Sequence, residues 1–571
     1  MNSIGSKILN SKFWWLWLLV FLFGVNFLAS QFHSRYDLTK EKRYTLSKAT
    51  KKILSSLDDD ISIEIFLKGD FPTGFRKLAG SVREFAGLMK DINGSKVHYR
   101  FISPQDDFPG VGGMRYEDTL VGMGAIPINL TVQVKAGQEN KRIYPVALIK
   151  YKGKQALVNL YSGGKRMITP VEINSAEALM EYQFAKTLNS LLNEEKPLVA
   201  YSVGNGEPAN ARSYALQQAL RTDYQLFTFN INQQKTIPDT FETLIIVKPS
   251  IAFSDEEKFK IDQYVMRGGK LLLFIDGLNA EQDSLGFKPE LVAYDRNLNL
   301  TDILFRYGVR INPDLVMDLQ CDFMPFAVGG NAENPQYEYL HWNYYPLFES
   351  MGNHATNKNI GLVAGRFVNS IDTIKVEGVK KTPLLYSSAN SRKITTPALI
   401  SLNENRNAPQ DNNFRENAIP VAILLEGKFT SLYKGRTSKS VIDTMAAMGL
   451  TYRESSDENK IIVVSDGDIV LNDFSPKDGP LEMGVNLFTV GSQYEYQFAN
   501  REFLLNSLEY LTGNPDIIET RNKEIVLRQL DPVKVKVQKT TWQFINIALP
   551  ILLVILCGWV YQQIRKRKYA A

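Results

Sequence analysis

Gly204-Asn205-Gly206-Glu207 follows the apolar run LVAYSV and precedes a helix-like run. That is the order in which an open α/β sheet presents a loop to a ligand at the carboxyl ends of its strands. Backbone N–H groups at a helix start attract negative charge, so the chemistry on offer there is the holding of an anion or a polar group. The loop has neither the third glycine of a dinucleotide fingerprint nor the Lys-Ser/Thr of a P-loop, and a plain tight turn is the preferred account of it. Asp276, Asp318, Asp466 and Asp468 stand at the ends of other strand-like runs and could line the same edge as a metal or polar-ligand site. Acidic residues in such places also serve as helix caps and solvated turns. Cys321, in DLQCDFMPF, lacks the glycine-flanked elbow that exposes a nucleophile, and His33, His98, His341 and His354 have no metal-ligand spacing to one another. The aromatics around His341, EYLHWNYYPLF, suit either a packing patch or a surface that stacks on a sugar or peptide. No catalytic residue, metal site or cofactor is therefore expected, and Gly204, Asn205, Gly206 and Glu207 are the ligand-binding candidates.

A second glycine pair tests the same question in reverse order. In SDEEKFKIDQYVMRGGKLLLFID, residues 254–276, Ser254 and Glu257 form a capping box, and Ile261, Tyr264 and Val265 have the spacing of one buried helix face. Gly268 falls where the helix needs a residue of positive φ, and Lys270 to Asp276 reads as a buried strand. Helix, glycine pair, strand is the reverse of a phosphate loop, so this pair is a helix stop.

The elements that must position these residues fall into two α/β regions. Ile61–Leu67 alternates as a strand, 74–91 reads as a helix with Phe75, Leu78, Val82, Phe85 and Met89 on one face, and VHYRFIS returns to strand. This βαβ unit allows a small thioredoxin-like domain, and without a C-x-x-C the redox chemistry of that fold is excluded. LTVQVKA, RIYPVALIKY and ALVNLY, within 129–161, have hairpin-like spacing. A helix over 174–192 aligns Met180, Phe184, Leu188 and Leu191. From 197 the rhythm is that of an open α/β sheet: PLVAYSV, YQLFTFNI, TLIIVKPS, KLLLFID, then VRINPDLVMD, IPVAILLEG and KIIVVSDGD. Residues 404–418 read as a loop and 500–513 as a closing helix.

Two stretches, Phe13 to Ser30 and Trp542 to Tyr561, lack any charge over about the 20 residues needed to cross a bilayer. The first also fits a signal peptide, though its apolar stretch is long for one, and an anchor is the preferred reading. Lys7 and Lys12 precede the first stretch and Arg565, Lys566, Arg567 and Lys568 follow the second. Arg35, Lys40, Lys42 and Arg43 make a raw count nearly even, so the short tails decide and place both termini in the cytoplasm. The tails carry +2 and +4 of the net +5, which leaves −1 for the rest of the chain and argues against nucleic acid as a partner. Cys321 and Cys557 are the only cysteines and build no disulfide framework. The expected order is a cytoplasmic tail and span over 1–31, a thioredoxin-like domain over 32–170, a connecting helix over 171–195, and an α/β domain over 196–515. A linker over 516–541, a second span over 542–562 and a basic cytoplasmic tail over 563–571 complete it.

RYDLTKEKRYTLSKATKKIL, MEYQFAKTLNSLL, VGNGEP, SDEEKFKIDQYVMRGGKLLLFID, VAILLEGKFTSLYKGR, IIVVSDGDIVLNDF and NREFLLNSLEYLTG give the chain, nearly end to end, a resemblance. It resembles the GldG family of gliding-motility ABC-transporter auxiliary proteins of Bacteroidetes-type bacteria. The resemblance implies a domain similar to those of intraflagellar-transport and Golgi proteins and to class I glutamine amidotransferases without their catalytic residues. It implies as partners a membrane permease and, through it, a cytoplasmic ATPase. Related auxiliary proteins often have His where this chain has Asn205.

Overall fold

A computed structural model describes residues 14–31, 37, 45–108, 115–125, 127–134, 137–161, 169–193, 196–285, 288–331, 334–350, 354–358, 360–402, 411–513, 517–518, 520–522 and 532–569. They belong to two units, residues 1–524 and 525–571. His33 and residues 404–410 of the loop at 404–418 lie outside the described residues.

The N-terminal sheet contains β1 (Ile61–Ile65), β2 (Val97–Phe101), β3 (Val146–Tyr151) and β4 (Lys154–Asn159) in the order β2-β1-β3-β4. β1 and β2 run parallel, joined by the helix Thr73–Ile92, while β3 is antiparallel to both β1 and β4. The helix buries Phe75, Leu78, Val82, Phe85, Ala86 and Met89, the face its periodicity predicts. Gly137–Ile143 pairs back on Ile128–Val134 as a separate hairpin, so RIYPVALIKY is divided between two strands, with Pro145 outside both.

The larger sheet contains β5 (Leu198–Val203), β6 (Gln225–Asn230), β7 (Thr243–Val247), β8 (Lys270–Phe274), β9 (Val379–Tyr386), β10 (Pro420–Thr430) and β11 (Ser455–Val464). Their order is β9-β10-β11-β8-β7-β5-β6. The five strands from β11 to β6 are parallel and β9 and β10 antiparallel. Strands covered on both faces read as continuous apolar runs, which is why TLIIV and KLLLF carry almost no polar residue. The chain leaves β5 for β6 on one side and crosses back to β7 on the other, which makes the carboxyl ends of β5 and β7 the topological switch point.

Between β8 and β10, apart from β9, the chain builds a β-rich lobe around Met317, Phe326, Trp342, Tyr344, Tyr345 and Phe367. The aromatics of HWNYYPLF from Trp342 to Phe348 are thus core. VRINPDLVMD is two strands, Val309–Ile311 and Asp314–Asp318, in different sheets, with Pro313 at the break.

The helix Asp255–Met266 begins at Ser254, whose hydroxyl accepts the Glu257 N–H (3.3 Å) while Glu257 accepts the Ser254 N–H (2.8 Å). It ends in a Schellman motif: Gly268 has φ +105°, its N–H donates to Val265 O (3.0 Å), and the Gly269 N–H donates to Tyr264 O (2.9 Å). The pair is a helix stop, and its two members differ. A Cβ on Gly268 would meet nothing within 4 Å, whereas one on Gly269 would lie 2.2 Å from the buried Tyr264 ring. Gly268→Ala is therefore expected to cost about 1 kcal/mol of backbone strain, and Gly269→Ala about 3 kcal/mol of overpacking. Parallel urea unfolding curves check the ranking; an equal or larger loss at Gly268 contradicts it.

Among the described residues, Gln538–Arg567 is the one helix found long and apolar enough to cross a membrane. It lies inside a continuous helix, Pro532–Tyr569. Trp14–Gln31 is an uncharged α-helix of 18 residues.

A candidate ligand site at the carboxyl edge of the larger sheet

The loop after β5 is built against the loop after β7. Asn205 O accepts the N–H groups of Ser250 and Ile251 (2.8 Å each), and Ser250 Oγ donates to Gly206 O (3.3 Å). Gly204 (φ +127°) and Gly206 (φ +79°) take conformations that disfavour a Cβ. On Gly206 a Cβ would lie 2.0 Å from Ser250 Oγ, so this glycine lets two loops of the same chain meet. Asn205 Nδ2 donates to Glu257 Oε2 (3.1 Å), fastening the loop to the first turn of the helix Asp255–Met266. Glu207 accepts the Asn205 N–H (2.7 Å), and its burial raises its carboxyl above the usual range against the opposing pull of that bond. Gly204, Asn205, Gly206 and Glu207 thus stand at the switch point, as their place in the sequence implies, and close it with their own hydrogen bonds. Asn205 Oδ1 is buried with no hydrogen-bond partner among the described residues.

Asp276, Asp466 and Asp468 do come together. Oxygens of the three lie within 4.8 Å of one another, a spacing that suits a divalent cation. Here the charge comes from the chain itself. Lys248, directly after β7 and with φ +44°, sends its ammonium into the group, 2.6 Å from Asp468, 3.0 Å from Asp276 and 3.1 Å from Glu281. Burial works against that ammonium, but the carboxylates around it prevail and hold its pKa well above the usual lysine range.

A wider shell completes the cluster. Arg296 pairs with Glu281 (2.7 Å), Arg212 lies 3.5 Å from Asp468, and Arg366 grips Asp473 with two bonds of 2.7 Å. The Arg366 N–H donates to Asp466 (2.8 Å). Four cations, Lys248, Arg212, Arg296 and Arg366, face five carboxyl groups, Asp276, Asp466, Asp468, Asp473 and Glu281. Asp466 titrates far above the usual range because it is buried beside Asp276 and Asp468, which favours its protonated form and brings the cluster near neutrality. Burial also raises Asp276, whereas Asp468, surrounded by Lys248, Arg366 and Arg212, is lowered in spite of its burial. Glu281, Arg296 and Arg366 belong to the β-rich lobe and Asp276 and Asp468 to the sheet edge, so the cluster joins lobe and edge.

Asp318 lies elsewhere, accepting bonds from Ser388 Oγ and N (2.6 Å each) and the Gln320 N–H (2.8 Å). Cys321 is buried, and burial beside Asp318 and Asp322 pushes its thiol up, away from the reactive thiolate. His341 is exposed, bonds through Nδ1 to Cys321 O (2.7 Å) and lies 4.1 Å from the Phe323 ring. His98 is near Asp60, and His354 bonds Thr356 Oγ1 (2.8 Å) with its pKa lowered by burial. None of the three joins the carboxylates in the cluster described.

Sequence reasoning missed Lys248, Arg212, Glu281, Arg296, Arg366 and Asp473. A signal existed for Lys248: a lone cation directly after the apolar run LIIV, level with acidic ends on neighbouring strands.

Residues 196–507 match a family profile described as an ABC-type uncharacterized transport system. Residues 40–150 match a second, a domain of unknown function. An uncharacterized protein of Borreliella burgdorferi is 23% identical over 420 residues, covering 71% of this chain and 75% of its own length. Among solved structures, the mmIFT52 N-terminal domain aligns at 12% identity over 56% of this chain and 98% of its own, with a TM-score of 0.30. PurLQS from Thermotoga maritima aligns at 10% identity over 56% of this chain and 100% of its own, with a TM-score of 0.22.

Proposed function

Because this chain belongs to the ABC-type uncharacterized transport system family, we propose that it is a non-catalytic, membrane-anchored auxiliary component of an ABC-type transporter complex. In this reading it supports gliding motility or secretion of the motility machinery, alongside a membrane permease and, through it, a cytoplasmic ATPase. The observation that carries the non-catalytic part is Lys248: the edge where an open α/β sheet would hold a substrate is closed by a buried ammonium among carboxylates. A cation so placed offers no open position to a metal and no proton acceptor to a substrate. The strand order β2-β1-β3-β4 supports a thioredoxin-like N-terminal domain, and the parallel five-stranded core supports an amidotransferase-like second one.

In the same reading the protein sits in a bacterial cytoplasmic membrane with Trp14–Gln31 and Gln538–Arg567 as two spans, both termini cytoplasmic and the domains between them extracytoplasmic. Reporter fusions before Lys12 and after Arg567 are expected to behave as cytoplasmic, and fusions in the loop at 404–418 as extracytoplasmic. A cytoplasmic signal from that loop overturns the topology.

A second reading, an extracytoplasmic receptor for a sugar or peptide, is favoured by one observation, the buried and unpartnered Asn205 Oδ1. A ligand-induced rise in melting temperature that Asn205→Ala abolishes would select it.

A further inference from the structure

The helix Pro170–Leu192 is buried on more than one side. Ile173, Met180, Phe184, Leu188 and Leu191 pack into the N-terminal core, and Glu177 holds Lys77 Nζ (2.9 Å) and Ser81 Oγ (2.7 Å) from the helix Thr73–Ile92. A different set of side chains faces the larger domain. The Tyr182 hydroxyl donates to Glu509, and Lys186 pairs with Asp223 (2.8 Å) and lies 3.8 Å from Glu509.

The same helix also seats two terminal segments of the first unit. Glu181 Oε1 accepts the Ser47 N–H (2.6 Å) and the Thr50 hydroxyl (2.7 Å), holding the first turn of the helix Lys48–Ser55, which follows the apolar helix Trp14–Gln31 in the chain. Acidic side chains are favourable at a helix N-terminus, and this one is itself buried. Tyr182, next to Glu181, and Ala185 pack with Ile517, and Ile53 packs against that group. The Arg521 guanidinium lies 4.6 Å from the centre of the Tyr182 ring. Residues 517–518 and 520–522 are the last described before the helix that begins at Pro532. Ile53 and Ile517, 464 positions apart, thus share one apolar group with Tyr182 and Ala185.

We propose that the helix Pro170–Leu192 is a clasp that couples the segment leaving the first apolar helix to the segment leading toward the second. Displacing either terminal segment then loosens the other. Glu181 and Tyr182 are adjacent, so the two seats are one helical turn, and a shift of that turn that releases Ser47 and Thr50 also moves the surface on which Ile517 and Arg521 rest.

Hydrogen exchange of the full chain in detergent tests this. Glu181→Ala removes the bonds to the Ser47 N–H and the Thr50 hydroxyl. It is expected to raise exchange about tenfold in 48–55 and also in 517–522, while the amides of β7 and β8 keep their protection. A rise confined to 48–55 overturns the coupling, and so does a uniform rise across the chain. Thr50→Val, which removes one of the two bonds to Glu181, carries the same readout at about threefold if the alanine variant does not fold. Neither result depends on whether a permease is bound.

Discussion

Lys248→Met is expected to lower the stability of the larger domain by about 3–5 kcal/mol, because it leaves Asp276, Asp468 and Glu281 buried or half-buried without the cation between them. Methionine fills a similar volume, so the loss is electrostatic rather than a cavity. The pH dependence distinguishes the two. Asp276 already has a folded pKa above its unfolded value; it binds more protons folded than unfolded, and its contribution falls as pH rises through that range. Removing the ammonium takes away the pull that opposes the rise at Asp276 and the largest pull that holds Asp468 down, so both carboxyls move up and the deficit of Lys248→Met is largest at neutral pH and shrinks as pH falls toward about 4. The Lys248 pKa is raised, so the stabilisation it gives in the native chain is fully present below the unfolded lysine value and is lost only as pH rises through the folded one. Urea unfolding of residues 45–522 at several pH values reads this through Trp342, the one tryptophan in that span. A pH-independent deficit, or one below about 1 kcal/mol, contradicts the account of the cluster.

The sequence was most legible where a rule is local. The capping box at Ser254 and Glu257 and the stop at Gly268 depend on residues a few positions apart, and both stand as read. The face of Thr73–Ile92 follows from its period for the same reason. What local rules cannot supply is the neighbour from a distant stretch. Lys258, Lys260, Asp262 and Gln263 give the helix Asp255–Met266 a solvent-facing look, yet all four are buried. Asp262, for one, accepts bonds from Ser431 Oγ (2.6 Å), the Leu432 N–H (2.9 Å) and the Tyr307 hydroxyl (3.0 Å). The site was half legible on the same grounds. Strand ends in a parallel sheet fall on one edge, so Asp276, Asp466 and Asp468 could be grouped from their positions. Asp318 could not be set apart, since the break at Pro313 that sends its strand to another sheet falls inside what reads as one run. Lys248 went unnoticed because a single lysine carries no motif; its role exists only once three carboxylates from distant stretches surround it.

Even the two proposed spans are too few to line a transport pore, and the sequence holds no P-loop with which to hydrolyse ATP, so a transport role requires other subunits to bring both. Gln538–Arg567 is the proposed docking surface, since Asn546 and Pro550 within it are best satisfied against neighbouring helices. Replacing 542–561 by an unrelated apolar span is expected to keep the protein in the membrane while cutting recovery of its partners about tenfold or more. The most direct measurement is purification of the tagged full chain from its own membranes in mild detergent, followed by identification of what comes with it. The account predicts a multi-spanning permease together with an ATPase of the ABC type, both reduced by the span replacement. A full-length, folded chain that comes out of the same extract alone would contradict it.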